Sequence, residues 1–321
     1  MPDSSRSTVA DKVAAIKSRL AIPAFAAPMF LVSGPELVIA ACKAGVIGSF
    51  PTMNARPPEK LREWFEEITA ELKAFEETGG KPAPWAANII VHSTSPRFEP
   101  DFKLLLEYRP EIIITALGSP KRVIEGVHDY GGLVFADVNS VTYAKRAVEA
   151  GADGLVLVSA GAGGHTGFVT GFAFVPAIRS FFEGPIILGG GIVDGAGIRA
   201  AEVLGADFAY LGTRFIATEE SLAPDKYREM LVDATEEDIQ LTAHFTGVPA
   251  NYLKSSIIAA GLNPDDLKPR EDKNFGERHE GKAWRDIWSA GQGVRAVDKV
   301  QPAGDLVAQL KTEYTAAKAT P

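Results

Sequence analysis

Short apolar runs and amphipathic stretches take turns along this chain. Eight apolar runs stand out, at 25–29, 46–50, 86–91, 112–116, 133–138, 154–159, 186–189 and 208–212. Most are continuous rather than alternating, the pattern of strands buried on both faces, as in a parallel sheet. Between them lie helical patterns. In the clearest, at 58–78, Leu61, Trp64, Phe65, Ile68, Leu72 and Phe75 share one face while Glu and Lys fill the other. Pro57 and Pro58 open this segment, and Gly79-Gly80 closes it.

Three helix-to-strand joints resemble one another: Ala41-Cys42-Lys43-Ala44-Gly45-Val46, Glu149-Ala150-Gly151-Ala152-Asp153-Gly154 and Val203-Leu204-Gly205-Ala206-Asp207-Phe208. In each, a glycine sits just past a helix, where a left-handed residue can close it, and a strand follows at once. Eight strands in alternation with helices predict an α/β chain folded as a closed (β/α)8 TIM barrel, with a smaller helical lid domain. Residues 1–216 read as the barrel. Residues 217–290 read as a lid of helices and loops, with helices at 224–234 and 240–245. Residues 291–321 read as a segment returning to the barrel, its helix at 304–318.

Composition narrows the function classes. An apolar fraction of 46% over 321 residues suits a packed globular protein. The net charge of −8 is spread along the chain, which argues against a nucleic-acid surface. No run reaches the roughly 18 apolar residues of a membrane span, and Met1 to Arg6 lead into no apolar signal core. The single cysteine, Cys42, cannot form an internal disulfide; it reads as a small buried helix residue in a reducing, cytoplasmic setting.

In a (β/α)8 barrel the chemistry sits at the C-terminal ends of the strands. The last two strands run into Gly189-Gly190-Gly191-Ile192 and Leu211-Gly212-Thr213-Arg214-Phe215. Glycine loops at these two places are built to close backbone N–H groups on a phosphate. Thr213 adds a hydroxyl there, and Arg214 a charge if it turns inward. Gly161-Ala162-Gly163-Gly164-His165-Thr166-Gly167 reads as neither helix nor strand and sets His165 among glycines at the mouth, where a histidine suits proton transfer near neutral pH. Ala27, Pro28 and Met29 end the first strand. Asn88 is a lone amide in an apolar run, and a buried amide needs partners. His92, Asp137 and Asn139 are further polar groups at strand ends. His128, His244 and His279 show no metal-ligand spacing, and no metal site is expected.

Taken in order, these segments resemble the nitronate monooxygenase family, formerly the 2-nitropropane dioxygenases, from about Ile22 to Val294. The most specific are Ala162-Gly163-Gly164-His165-Thr166-Gly167, Gly189-Gly190-Gly191-Ile192 and Leu211-Gly212-Thr213-Arg214-Phe215. Phe245-Thr246-Gly247-Val248-Pro249-Ala250 and Ala290-Gly291-Gln292-Gly293-Val294 also match. The resemblance implies an FMN cofactor. Ala27, Pro28, Met29 and Asn88 would lie against the flavin ring. Gly163 and Gly164 would contact flavin or phosphate, and Gly190, Gly191, Leu211, Gly212 and Thr213 would bind the phosphate. His165 matches the family's active-site histidine. Two positions depart: many members carry a glutamine where this chain has Val158, and commonly an acidic residue where it has Ala162.

The expected activity is FMN-dependent oxidation of alkyl nitronates with O2 to a carbonyl compound and nitrite. The protein would meet a small-molecule substrate and neither nucleic acid nor membrane; a homodimer is compatible with this reading. The principal rival keeps fold and cofactor but takes electrons from NAD(P)H, as a quinone or enoyl-thioester reductase. An inosinate-dehydrogenase-like barrel would need a cysteine at the mouth, and Cys42 falls in a predicted helix. A flavin-binding protein without turnover would leave His165 without a purpose.

Overall fold

Each apolar run becomes a strand, and the eight strands close on one another. A computed structural model of the chain describes residues 7–269 and 285–320. The strands are β1 (Ala24–Ala26), β2 (Ile47–Pro51), β3 (Trp85–Ile90), β4 (Ile112–Ala116), β5 (Leu133–Val138) and β6 (Gly154–Val158). After a two-residue strand outside the barrel, β7 (Gly164–His165), come β8 (Ile186–Gly189) and β9 (Phe208–Leu211). The barrel order is β1-β2-β3-β4-β5-β6-β8-β9, every pair parallel, with Phe25 opposite Tyr210 where β1 meets β9.

Successive side chains point alternately into and out of the barrel. Phe25, Ile47, Ala86, Phe135, Val156 and Phe208 belong to the inward cluster, which all eight strands supply. Phe25 meets Phe208 edge to face at 5.4 Å. Each large apolar side chain buried here contributes roughly 1.5–3 kcal/mol, so the interior is a packed core. The helix α1 (Val9–Lys17) plugs its lower end: Val13 and Ile16 join the same cluster.

The outer ring consists of α2 (Pro35–Ala44), α3 (Lys60–Glu77), α4 (Phe98–Tyr108), α5 (Lys121–Asp129), α6 (Val141–Glu149), α7 (Gly171–Arg179) and α8 (Gly195–Leu204). Cys42 is fully buried on α2. The short α9 (Thr213–Ile216) follows the last barrel strand. Beyond it lie α10 (Asp225–Asp233), a hairpin of β10 (Ile239–Thr242) and β11 (Ala250–Leu253), and α11 (Lys254–Ala259). The final helix, α12 (Ala303–Ala319), packs Leu306, Val307 and Leu310 into a cluster with Leu37 of α2 and Ile198 of α8.

Two local expectations are corrected. The stretch 240–245, read as helix, begins inside β10, which pairs antiparallel with β11. Ile239-Gln240-Leu241-Thr242 alternates apolar and polar, the period of a half-buried strand. The glycine-histidine loop is also not wholly irregular: Gly164 and His165 pair with Asn251 and Ala250, making β7 the third strand of this small sheet. Glycine weakens an isolated strand, and here pairing with the buried β11 supplies the order. Met1 to Arg6 and His279 lie outside the described residues.

The repeated joints have a physical purpose at the lower end. Asp153 and Asp207 sit just before β6 and β9. The Asp153 carboxylate accepts the Val134 N–H at 2.7 Å, and that of Asp207 accepts the Ile186 N–H at 2.9 Å. His128 bonds Asp153 at 2.8 Å, while Lys17 and Arg179 each meet Asp207 at 2.8 Å.

Candidate active site

At the upper end the loops after β6, β8 and β9 converge. Gly190 and Gly191 follow β8 with φ of 122° and 74°, a region in which a side chain is strained. A Cβ on Gly190 would fall 2.3 Å from Ser159 Oγ, so this backbone lies directly on the loop after β6. Among the described residues, the Gly190, Gly191 and Gly212 amides donate to no backbone carbonyl. Gly190 and Gly212 are partly buried while Gly191 is exposed; partly buried N–H groups normally have partners, so the unclaimed Gly190 and Gly212 donors suit an anion.

The segment around Gly291 ties the loops together. Thr213 Oγ1 accepts the Gly291 N–H at 2.9 Å, which leaves its own hydroxyl proton to donate. Gln292 N–H donates to Gly161 O at 2.9 Å. Gly163 packs so closely on this segment that a Cβ would lie 2.8 Å from the Ala290 carbonyl carbon and the Gly291 nitrogen. Met29 joins from the loop after β1, its sulfur 3.5 Å from where a Gly212 Cβ would stand.

The loop after β1 is held rigidly. Asn54 Nδ2 donates to Met29 O and to Ser33 O at 2.8 Å each, and Asn54 Oδ1 accepts the Leu31 N–H at 2.9 Å. Leu31 adopts φ 61°, a costly conformation for a leucine that these bonds hold in place. Ala27 N–H donates to Leu211 O at 2.9 Å. The Leu211 side chain points away from the mouth, fully buried in the cluster under α12, so only its backbone lies near the site.

His165 projects from β7. Its Nε2 lies 3.1 Å from Thr246 Oγ1. That hydroxyl also lies within bonding distance of Val248 O, at 3.1 Å, and of the Val248 N–H, at 3.3 Å. If the threonine proton serves Val248 O, His165 Nε2 carries the proton that points to Thr246. Burial lowers the His165 pKa to about 4, so the ring is neutral at neutral pH. Asn251 fixes the approach to this strand, its Nδ2 donating to Ala162 O at 2.7 Å.

On β3 and β5, Asn88 and Asp137 stand two residues beyond Ala86 and Phe135, and therefore on the inward face above the packed core. Asn88 Nδ2 meets Asp137 Oδ2 at 3.4 Å. Burial pushes the Asp137 carboxyl up to about 7, against the pull of the Asn88 amide. Tyr210 stands likewise above Phe208 on β9, its ring over Gly189. As residues, Asp137 and Tyr210 are only partly buried. Yet Asp137 Oδ1 and the Tyr210 hydroxyl are sealed from solvent with no hydrogen-bond partner among the described residues.

The structure thus joins Met29, Gly163, Gly190, Gly212 and Thr213 around one set of loops. Asn88 lies with Asp137 inside the mouth, and Gly164 with His165 on β7. His92 and Asn139 are exposed; His92 bonds Thr94 at 2.7 Å. Arg214 is buried and bonds Val193 O and Gln309, each at 3.3 Å. His128 and His244 serve Asp153 and the Lys268 carbonyl. Residue patterns alone assign no role to Thr246, Asn251, Tyr210 or Gln292. For Thr246 and Gln292 the signal was membership of the matching segments; for Asn251 it was the unrecognised hairpin. The open amides, the sealed oxygens and the Thr213 hydroxyl form a donor and acceptor set that fits a ligand with a phosphate at one end and a polar ring at the other.

Known proteins resemble this chain in sequence and in fold. The nitronate monooxygenase family model matches residues 13–313. A nitronate monooxygenase of Paraburkholderia phytofirmans is 29% identical, over 91% of this chain and 92% of its own. One from Pseudomonas aeruginosa is 29% identical, over 79% and 82%. Among solved structures, a point mutant of FabK from Thermotoga maritima superposes with a TM-score of 0.75 at 25% identity, covering 96% of each chain. Nitroalkane oxidase from Streptomyces ansochromogenes gives 0.77 at 24%, covering 96% of this chain and 100% of its own, a likeness of fold. The chain belongs to the nitronate monooxygenase family, whose members are oxidoreductases.

Proposed function

We propose that the protein is an FMN-dependent monooxygenase that converts alkyl nitronates, with O2, to a carbonyl compound and nitrite. One observation carries the reading: among the described residues, glycine amides without carbonyl partners cluster at the ends of β8 and β9, beside the loop that presents His165. The amides of Gly190, Gly191, Gly212 and Thr213 would hold the FMN phosphate, with Gly163, Gly164 and the Leu211 backbone close by. Ala27, Pro28, Met29 and Asn88 would face the ring. Bound FMN supplies the one-electron and O2 chemistry. The chain's own residues bind, orient and exclude water.

His165 has the narrowest task. With Thr246 donating to Nε2 and the ring proton on Nδ1, a neutral imidazole can donate an N–H to an anionic nitro group; with the ring proton on Nε2, Nδ1 can accept a proton from the α-carbon of a neutral nitroalkane. A base with a pKa near 4 is weak at neutral pH. The first task therefore suits it better, and the anionic nitronate is the better substrate. Purified protein should be yellow. It should release nitrite from propionate 3-nitronate in air. His165→Asn should keep FMN and lose on the order of 10²–10⁴-fold in turnover. A colourless protein that takes up no FMN, or unchanged turnover in His165→Asn, sinks the reading.

A second reading has its own support. A Rhodococcus jostii relative, named (3aS,4S,5R,7aS)-5-hydroxy-7a-methyl-1-oxo-octahydro-1H-indene-4-carboxyl-CoA dehydrogenase, is 25% identical over 71% of this chain and 61% of its own. A CoA-thioester substrate that gives electrons to the flavin would fit that likeness; NAD(P)H as donor would run the same site as a reductase. Anaerobic bleaching of the flavin by a CoA thioester or by NAD(P)H, with none by a nitronate, would select this reading.

A further inference from the structure

We infer that Asp137, set between Asn88 and Tyr210 inside the barrel mouth, is an ionisable residue that faces the ring of the bound cofactor and couples its redox state to pH. The inference rests on the FMN reading above and goes beyond it.

The argument starts from alternation along the strands. Ala86, Phe135 and Phe208 fill the core, and Asn88, Asp137 and Tyr210 are the next inward positions on their strands. A barrel needs no polar group there to fold, and a carboxylic acid is a costly choice. Its neighbours do not satisfy it. Asn88 from β3 supplies one long hydrogen bond, of 3.4 Å, to Oδ2. The β6 residue opposite Asp137 is Val156, and β4 runs beside β5 as Ile114-Thr115-Ala116. Among the described residues, Tyr210 from β9 is the titratable group that feels Asp137, whose charge adds to the burial that raises the tyrosine's pKa. No lysine, arginine or histidine is among the groups that act on Asp137. Oδ1 and the tyrosine hydroxyl are both buried and both unpaired among the described residues. Two such atoms directly above the packed core mark where a ligand's polar edge belongs.

The chemistry follows from charge alone. A neutral carboxylic acid beside the ring favours the electron-rich reduced cofactor; an ionised carboxylate disfavours it. The proton that decides between them sits on Asp137. Reduction should therefore draw a proton to Asp137 in the pH range where it titrates, and the reduction midpoint should fall more steeply with pH there.

The test uses the full-length holoprotein. The FMN midpoint potential is titrated anaerobically from pH 5.5 to 8.5 in wild type, Asp137→Asn and Tyr210→Phe, with FMN affinity followed by fluorescence quenching. Wild type should show an added bend near neutral pH. Asp137→Asn should lose the bend, meet wild type below pH 6 and lie at higher potential above pH 8. Tyr210→Phe should keep the bend in place, because the tyrosine stays neutral over this pH range. A bend that survives in Asp137→Asn, or superposable wild-type and Asp137→Asn curves with FMN bound, overturns the inference and leaves the cofactor reading standing. Failure of wild type to bind FMN overturns both. If Asp137→Asn does not fold, Asn88→Ala, which removes the one bond that lowers the Asp137 pKa, decides: a bend moved to higher pH supports the inference, and an unmoved one counts against it.

Discussion

Two aspartates near opposite ends of the barrel are treated in opposite ways. Asp207, at the lower end, collects the Ile186 N–H, Lys17 and Arg179. Burial alone would raise its pKa, but these partners outweigh it, and the carboxyl is held below its ordinary value. Asp137, at the mouth, has one long bond from Asn88 and is pushed up to about 7. The fold plainly can satisfy a carboxylate. Leaving one unsatisfied at the mouth is therefore a property of the site rather than a general defect of packing. Sites that bind ligands regularly carry such locally unfavourable groups.

Removing the satisfied carboxylate should have the larger effect. Asp207→Ala strands the Ile186 N–H and takes a partner from two cations. A loss of about 3 kcal/mol in urea unfolding at pH 7 is expected. A loss under about 1 kcal/mol would mean the network is ornamental. The pH dependence has a definite sign. Because the folded pKa of Asp207 is depressed, its contribution is present above the unfolded value near 4 and is lost as pH falls through the folded value.

Asp137→Asn should act in the opposite direction. With a folded pKa near 7 and an unfolded one near 4, the native state holds a proton between these values that the unfolded chain has released. Stability contributed by this group therefore falls as pH rises from about 4 to about 7. The asparagine removes that penalty, so the ligand-free variant should gain about 1–3 kcal/mol at pH 8 and nothing at pH 4. His165 runs the other way over part of the same window. Its folded pKa near 4 lies below the unfolded value near 6.5, so its contribution is lost as pH falls from 6.5 to 4. The two slopes offset one another in wild type. In Asp137→Asn the histidine slope should emerge as a steeper loss on acidification. A variant less stable than wild type at pH 8 would erase the contrast with Asp207.

The same contrast explains what could be read in advance. The lower end is written locally: Gly-Ala-Asp precedes β6 and β9, and each aspartate bonds a strand adjacent in the sheet. Continuous apolar runs located the strands for a similar reason. The glycine loops were also legible, because unusual backbone leaves a mark in residue type. Thr246 was not, since its bond to His165 spans 81 residues and depends on a hairpin that the residue pattern reads in part as helix. Asp137 was visible as a polar residue at a strand end, but its lack of partners is a property of β3, β4, β6 and β9 together. Val158 and Ala162 marked departures in the sequence. In three dimensions Ala162 acts through its carbonyl, which Asn251 holds.

The smallest expected effect probes how far the mouth depends on single hydrogen bonds. Thr246→Val keeps the shape of a buried side chain and deletes the oxygen that His165 Nε2 meets. The hydroxyl also meets Val248 O and the Val248 N–H, so stability should drop by about 1–2 kcal/mol, of which the neutral bond to His165 is worth about 1 kcal/mol. If the bond's role is to hold the imidazole for the substrate, turnover should fall about fivefold, the kinetic equivalent of the same energy. FMN affinity should stay unchanged, because Thr246 touches none of the loops around Gly190 and Gly212. Thr246→Ser, which restores the hydroxyl, should recover most of the lost turnover. Recovery of stability without recovery of turnover would mean that Thr246 only braces the turn at Val248, and that β7 alone positions His165.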